Sequence, residues 1–167
     1  MKRIIISALT LILFGGLNAQ SVGNREYSMM LNKLLDHNVN EVSVTDIDLN
    51  DKVIYLDARE KNEYNVSHVK NAIWVGYDKF QKDSITGIDK TKKIVVYCSV
   101  GYRSEKISER LIKMGYTNVS NLYGGLFEWS NQEMPLVNGS SNDSTVKIHP
   151  YNEKWGKWIT VGEKSYE

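Results

Sequence analysis

The chain has one cysteine in 167 residues, three histidines and no block of like charge. Each scarcity removes a class of explanation. A single cysteine permits no disulfide within the chain, so stability must come from the core. One Cys and three scattered His make no ligand cluster, so no metal is expected. The formal net charge is +1, with no basic stretch, which argues against a nucleic-acid partner. The longest apolar run, Ile4 to Phe14, is too short for a good membrane span. No internal repeat is present.

What remains is ordinary. At 41% hydrophobic and 25% charged residues, the composition supports one domain with a core of normal size and some decoration.

Residues 1–19 have the order of a secretory signal. Lys2 and Arg3 come first, then the apolar stretch broken by Ser7 and Thr10, then small residues with a cut expected after Ala19. Removing them leaves 19 basic against 20 acidic side chains, an almost neutral mature surface. The expected location is therefore outside the cytoplasm, in a bacterial periplasm or secreted. There an unpaired cysteine is a liability unless it is used.

The expected organisation has three parts: the signal at 1–19, a folded domain over 20–135, and a polar linker with an aromatic extension over 136–167. Glu26 to Asp36 reads as a helix with Tyr27, Met30, Leu31, Leu34 and Leu35 on one stripe. Glu41 to Val44 alternates like an edge strand. Short apolar runs follow at 53–56, 72–75, 94–97 and 119–123, separated by helical segments. That pattern predicts an α/β fold with a parallel sheet covered by helices on both faces. Ile107, Leu111 and Met114 mark a helix starting near Ser104 and ending at Gly115. The extension holds Tyr151, Trp155, Trp158 and Tyr166, too many aromatics to leave in water, so it is expected to pack back on the domain.

The cysteine lies between the third apolar run and that helix, in Cys98-Ser99-Val100-Gly101-Tyr102-Arg103-Ser104. A thiol reacts as thiolate, so its site must stabilise a negative sulfur. Amides of a tight loop and the positive end of a helix supply that field. Gly101 gives the backbone freedom to curl. Arg103 offers a forked cation suited to an oxyanion. Four residues separate Cys98 from Arg103. Cysteine phosphatases place five in that gap, so this loop makes a tighter cup, sized for one extra sulfur atom.

Four segments in order resemble the rhodanese-like sulfurtransferase family, over roughly Val42 to Pro135. They are the loop Cys98-x-x-Gly101-x-Arg103-Ser104, Asp57-Ala58-Arg59-Glu60 with Tyr64 after it, Ser67-His68-Val69-Lys70-Asn71-Ala72, and Leu122-Tyr123-Gly124-Gly125 with Trp129. Ser67 and Asn71 stand where the family pattern has glycines. The resemblance implies a rhodanese-like, five-stranded, mainly parallel sheet and a ping-pong reaction without cofactor. Cys98 would take a sulfane sulfur from a small anionic donor such as thiosulfate and pass it to cyanide, a thiol or a protein thiol. Ser99, Val100, Gly101, Tyr102, Arg103 and Ser104 would bind substrate, with Asp57 and Arg59 in support and His68 structural. Two other readings stay open: a binding or scaffold module without turnover, and a small cysteine phosphatase or arsenate reductase, which the short loop disfavours.

Overall fold

The computed structural model describes residues 21–139 and 143–167. The signal-like segment 1–19 lies outside the described residues, as does the middle of the polar connector, 140–142.

Five strands make the main sheet: β1 (Asn40–Val42), β2 (Ile54–Asp57), β3 (Ile73–Trp74), β4 (Ile94–Tyr97) and β5 (Val119–Leu122). Their order is β1-β5-β4-β2-β3, and each pairing is parallel, so the sheet is wholly rather than mainly parallel. β4 is central and buried along its length. Its residues alternate between faces as a strand's period of two requires. Val95 and Tyr97 enter one core, while Ile94, Val96 and the following Cys98 enter the other.

Helices cover both faces. α1 (Arg25–Leu34) and α4 (Gly125–Asn131) pack on the first core through Tyr27, Leu31, Leu126, Phe127 and Trp129. α3 (Tyr102–Lys113) packs on the second through Ile107 and Leu111. α1 starts where Asn24 accepts from the Tyr27 amide at 3.0 Å, a side-chain cap for an otherwise unpaired donor. The Tyr27 hydroxyl then donates to Gly124 O at 2.7 Å, joining α1 to the turn before α4. α2 (Lys61–Val66) lies between β2 and β3. Trp129 is fully buried and its indole donates to Pro135 O at 3.0 Å, so its ring fills the core with its one polar atom satisfied.

α3 begins at Tyr102, two residues before the expected Ser104. Gly101 has φ 121°, a conformation that side chains disfavour, and it turns the chain from loop to helix within a single residue. Arg103 is therefore in the first helical turn.

The expected linker starts as structure. Leu136 and Val137 form a buried strand, β6 (Leu136–Val137), paired with β7 (Ser144–Thr145). Val137 and His68 exchange backbone hydrogen bonds at 2.8 and 3.0 Å. β8 (Lys147–Ile148) pairs with β9 (Glu163–Lys164), and the short α5 (Glu153–Gly156) lies between them. This segment packs on α1 and α4. Trp158 stacks on Tyr27 with centroids 5.1 Å apart, Ser130 Oγ donates to Val161 O at 2.7 Å, and Ile148 and Ile159 are buried.

Candidate active site

β4 ends at Tyr97, and the chain turns at once into the cysteine loop, at the carboxyl edge of the sheet where open α/β folds place their sites. The loop is held from behind by α4. Its amides at Leu126 and Phe127 donate to the carbonyls of Cys98 and Ser99 at 2.8 and 3.0 Å. That approach requires Gly125. A Cβ there would lie 2.5 Å from Cys98 O. With the carbonyls directed at α4, the Gly101 amide is left to donate to Cys98 Sγ at 3.1 Å. A backbone donor is thus aimed at the sulfur from the start of α3.

Ser104 is not on the wall of the site. Its hydroxyl donates to Asn121 Oδ1 at 2.7 Å and lies 3.0 Å from Gly101 O, to which Asn121 Nδ2 donates at 3.1 Å. Ser104 and Asn121 thus fix the turn at Gly101 from inside the core.

Arg103 does not extend freely toward a substrate. Nη1 and Nη2 donate to Glu63 Oε2 and Oε1 at 2.7 and 2.8 Å, and Nη2 also donates to Ser99 Oγ at 3.0 Å. Ser99 Oγ donates to Glu63 Oε1 at 2.9 Å, and the Glu60 amide donates to Oε2 at 3.0 Å. Burial alone would raise the Glu63 carboxyl. Arg103 outweighs it through hydrogen bonds and charge, with Arg59 and the Glu60 amide adding to the effect, and the pKa is lowered to about 2. Arg103, whose burial works against its charge, is held above its ordinary value mainly by Glu63, with the thiol adding to it.

Asp57 and Arg59 form a separate pair. Arg59 donates through Nη2 to Asp57 Oδ2 at 2.6 Å and to Ser67 O at 2.6 Å, and both side chains are fully buried. Neither lines the cavity at Cys98. Their place is to tie the end of β2 to the segment after α2. His68 is likewise structural, stacked on Tyr64 at 3.8 Å with Nδ1 3.1 Å from Tyr64 O. Burial lowers its pKa.

A cavity of about 300 Å³ opens over the thiol. Cys98, Ser99, Val100, Tyr102 and Arg103 are on its walls, joined by Glu60, Tyr77, Asp78, Leu34, Tyr151 and Trp155. Cys98 is only 1% exposed, so a reactant has to enter the cavity to meet it. Sequence reasoning missed Glu63, Asn121 and the walls outside the loop. For Glu63 a signal existed: Glu60-x-x-Glu63 has the spacing of a capping box.

The rhodanese-like domain profile matches residues 43–132. The chain belongs to this family. Among its relatives, the tRNA uridine(34) hydroxylase of Hamiltonella defensa is 37% identical over 109 residues, covering 60% of this chain and 29% of that protein. The Yersinia enterocolitica enzyme of the same name is 36% identical over 92 residues, 50% of this chain and 26% of the relative. This rhodanese-like chain thus spans less than a third of these relatives. Among solved structures, a rhodanese-related protein from Thermoplasma volcanium is 26% identical with a TM-score of 0.53, covering 59% of this chain and 97% of that one. A thiosulfate sulfurtransferase from Pseudomonas aeruginosa, 16% identical, shares the fold with a TM-score of 0.56 over 80% of this chain and 26% of its own.

Proposed function

We propose that this rhodanese-like protein is a sulfurtransferase that carries sulfane sulfur on Cys98 as a persulfide. The supporting observation is the lone thiol on the floor of a cavity, 3.1 Å from the Gly101 amide at the start of α3. In the first half-reaction, Cys98 thiolate attacks the outer sulfur of a donor such as thiosulfate. The donor's S–S bond breaks, its electron pair leaves with sulfite, and Cys98 keeps the sulfur. In the second, a thiophilic acceptor, cyanide or a thiol, attacks that sulfur, and the electron pair of the broken S–S bond returns to Cys98. No oxidant, metal or organic cofactor enters the balance. Arg103, paired with Glu63, serves to shape the loop and places one neutralised cation beside the sulfur.

The hydroxylase activity named for the longer relatives is left with them, since this chain spans 29% of the Hamiltonella defensa protein and 26% of the Yersinia enterocolitica one. The segment 1–19 supports export as part of the proposal. Among the described residues no helix is long and apolar enough to cross a membrane. Fractionation of cells and a mature N-terminus at Gln20 test it.

Purified mature protein is expected to form thiocyanate from thiosulfate and cyanide, with ping-pong kinetics. Cys98→Ser is expected to lower the rate by roughly a thousandfold or more while leaving the melting temperature unchanged. Thiosulfate should add one sulfur atom to the wild-type mass and none to the variant. Equal turnover by the variant would sink the proposal. A wild-type thiol that takes no sulfur would favour a binding module.

A further inference from the structure

The cavity over Cys98 has walls that the rhodanese-like segment 43–132 does not supply. Leu34 comes from α1, and Tyr151 and Trp155 come from the C-terminal segment. That segment is shaped for its position. Tyr151 has φ 64°, which bulky residues rarely adopt, and its amide donates to His149 Nδ1 at 3.0 Å. Asn152 Oδ1 accepts from the Trp155 amide at 3.1 Å and starts α5. Gly156 closes the turn where a Cβ would meet Pro150 Cβ at 2.9 Å. The result sets the Tyr151 ring 5.1 Å from the Arg103 guanidinium, a cation–π contact, and turns Trp155 to the same cavity.

Charge on the walls is one-sided. Arg103 is the cation among the lining residues, and Glu63 offsets it through two hydrogen bonds. Glu60 and Asp78 add two carboxylates to the lining. An anionic body entering this space meets like charge from half-buried Glu60 and exposed Asp78, a repulsion that a small anionic donor such as thiosulfate also meets. An apolar body meets Leu34, Val100, Tyr77, Tyr102 and Trp155. The volume, about 300 Å³, is at the small end of cavities that take organic ligands.

We infer that the sulfur acceptor is a low-molecular-weight organic thiol with an apolar, ring-sized body and no negative charge on that body, and that Tyr151 and Trp155 determine this specificity. The inference rests on the persulfide on Cys98 proposed above. All thiols react as thiolates, so the charge on the attacking sulfur is common to every candidate and the body discriminates. The acceptor thiolate attacks the outer sulfur of Cys98–S–SH. The S–S bond to Cys98 breaks with its electron pair on Sγ, and the acceptor leaves as its own persulfide.

The test uses protein loaded with sulfane sulfur and freed of excess donor. It is mixed with phenylmethanethiol or 2-mercaptoethanesulfonate at equal thiolate concentrations, and loss of one sulfur atom from Cys98 is followed by mass spectrometry. Phenylmethanethiol should discharge the wild type at least about tenfold faster, the scale on which small apolar contacts discriminate. Tyr151→Ala and Trp155→Ala should each slow the aromatic thiol more than the sulfonate, bringing the ratio to within about threefold, and Trp155→Phe should retain the preference. Tyr151 is half exposed, so its variant folds independently of how Trp155→Ala behaves. Asp78→Lys, at an exposed position, should speed the sulfonate thiol. Equal rates for the two thiols in wild type, or a ratio unchanged in both alanine variants, overturns the inference and leaves the persulfide standing. Protein that takes sulfur from neither thiosulfate nor inorganic polysulfide overturns the sulfurtransferase reading, and the inference falls with it.

Discussion

Asp57 and Glu63 are close in sequence and each holds an arginine, but their surroundings differ. Asp57 and Arg59 come from one strand end and its loop, are fully buried, and are absent from the cavity wall. Glu63 and Arg103 come from α2 and α3, forty residues apart, and Arg103 keeps 14% of its side chain exposed beside the thiol. The first pair joins neighbours in the chain. The second closes the cysteine loop onto a different element and balances the one cation on the cavity wall. Burial alone therefore does not tell a brace from a working group. Access to the cavity does.

Removing Arg59 should break the comparison most visibly on the stability side. Arg59→Ala leaves the Asp57 carboxylate buried and unpaired, a loss of about 3–5 kcal/mol. Urea melts should show it, while thiocyanate formation per folded molecule stays near wild type. A large fall in that specific activity would place Asp57 and Arg59 in the reaction after all.

Glu63→Gln should give a smaller loss of stability and a change in chemistry. The Glu63 pKa is lowered in the fold, so its stabilisation is complete above the ordinary carboxylate pKa near 4.5 and is lost as pH falls toward about 2. That contribution is on the order of 3 kcal/mol. The difference in stability between wild type and variant should shrink over that interval in acid melts. At neutral pH the variant leaves Arg103 uncompensated, so KM for thiosulfate should fall. An unchanged KM would show that the pair's charge balance does not reach the donor.

The smallest effect is expected from salt. With Glu60 and Asp78 on the wall, an anionic donor is repelled. Raising ionic strength from about 0.05 to 0.5 M should increase kcat/KM for thiosulfate by roughly twofold as the screening length shortens. Glu63→Gln should weaken or reverse this trend. A steep fall with salt in wild type would show a site that attracts anions.

Much of this was legible from residues alone where the information is local. The apolar run 94–97 coincides with β4, and the stripe of Ile107 and Leu111 faces the core as a helix should. The loop's place between a buried strand and a helix was legible from the residues flanking the thiol. Tertiary pairings were not legible. Nothing in the spacing of Glu63 and Arg103 shows that α2 and α3 meet, and Asn121 reads as a polar interruption of a strand until Gly101 O is seen to need it. The helix start was misplaced because Gly101, not a side-chain cap, ends the loop. Aromatics at 151–166 signalled packing, but composition cannot say that Trp158 takes Tyr27 while Tyr151 takes Arg103.

The contact between Gly125 and the cysteine loop bears on how such a site can be re-engineered. Lengthening the loop by one residue to accommodate a tetrahedral phosphate looks like a local edit. Yet the Cys98 and Ser99 carbonyls are both anchored to α4 amides, and the backbones there approach so closely that even a methyl group does not fit. An insertion before Gly101 has to be absorbed between that anchor and a helix start already pinned by Ser104 and Asn121. Loop size and the seat of α4 are therefore one design variable, and a change of chemistry on this scaffold requires redesign of the helix behind the loop as well as of the loop itself.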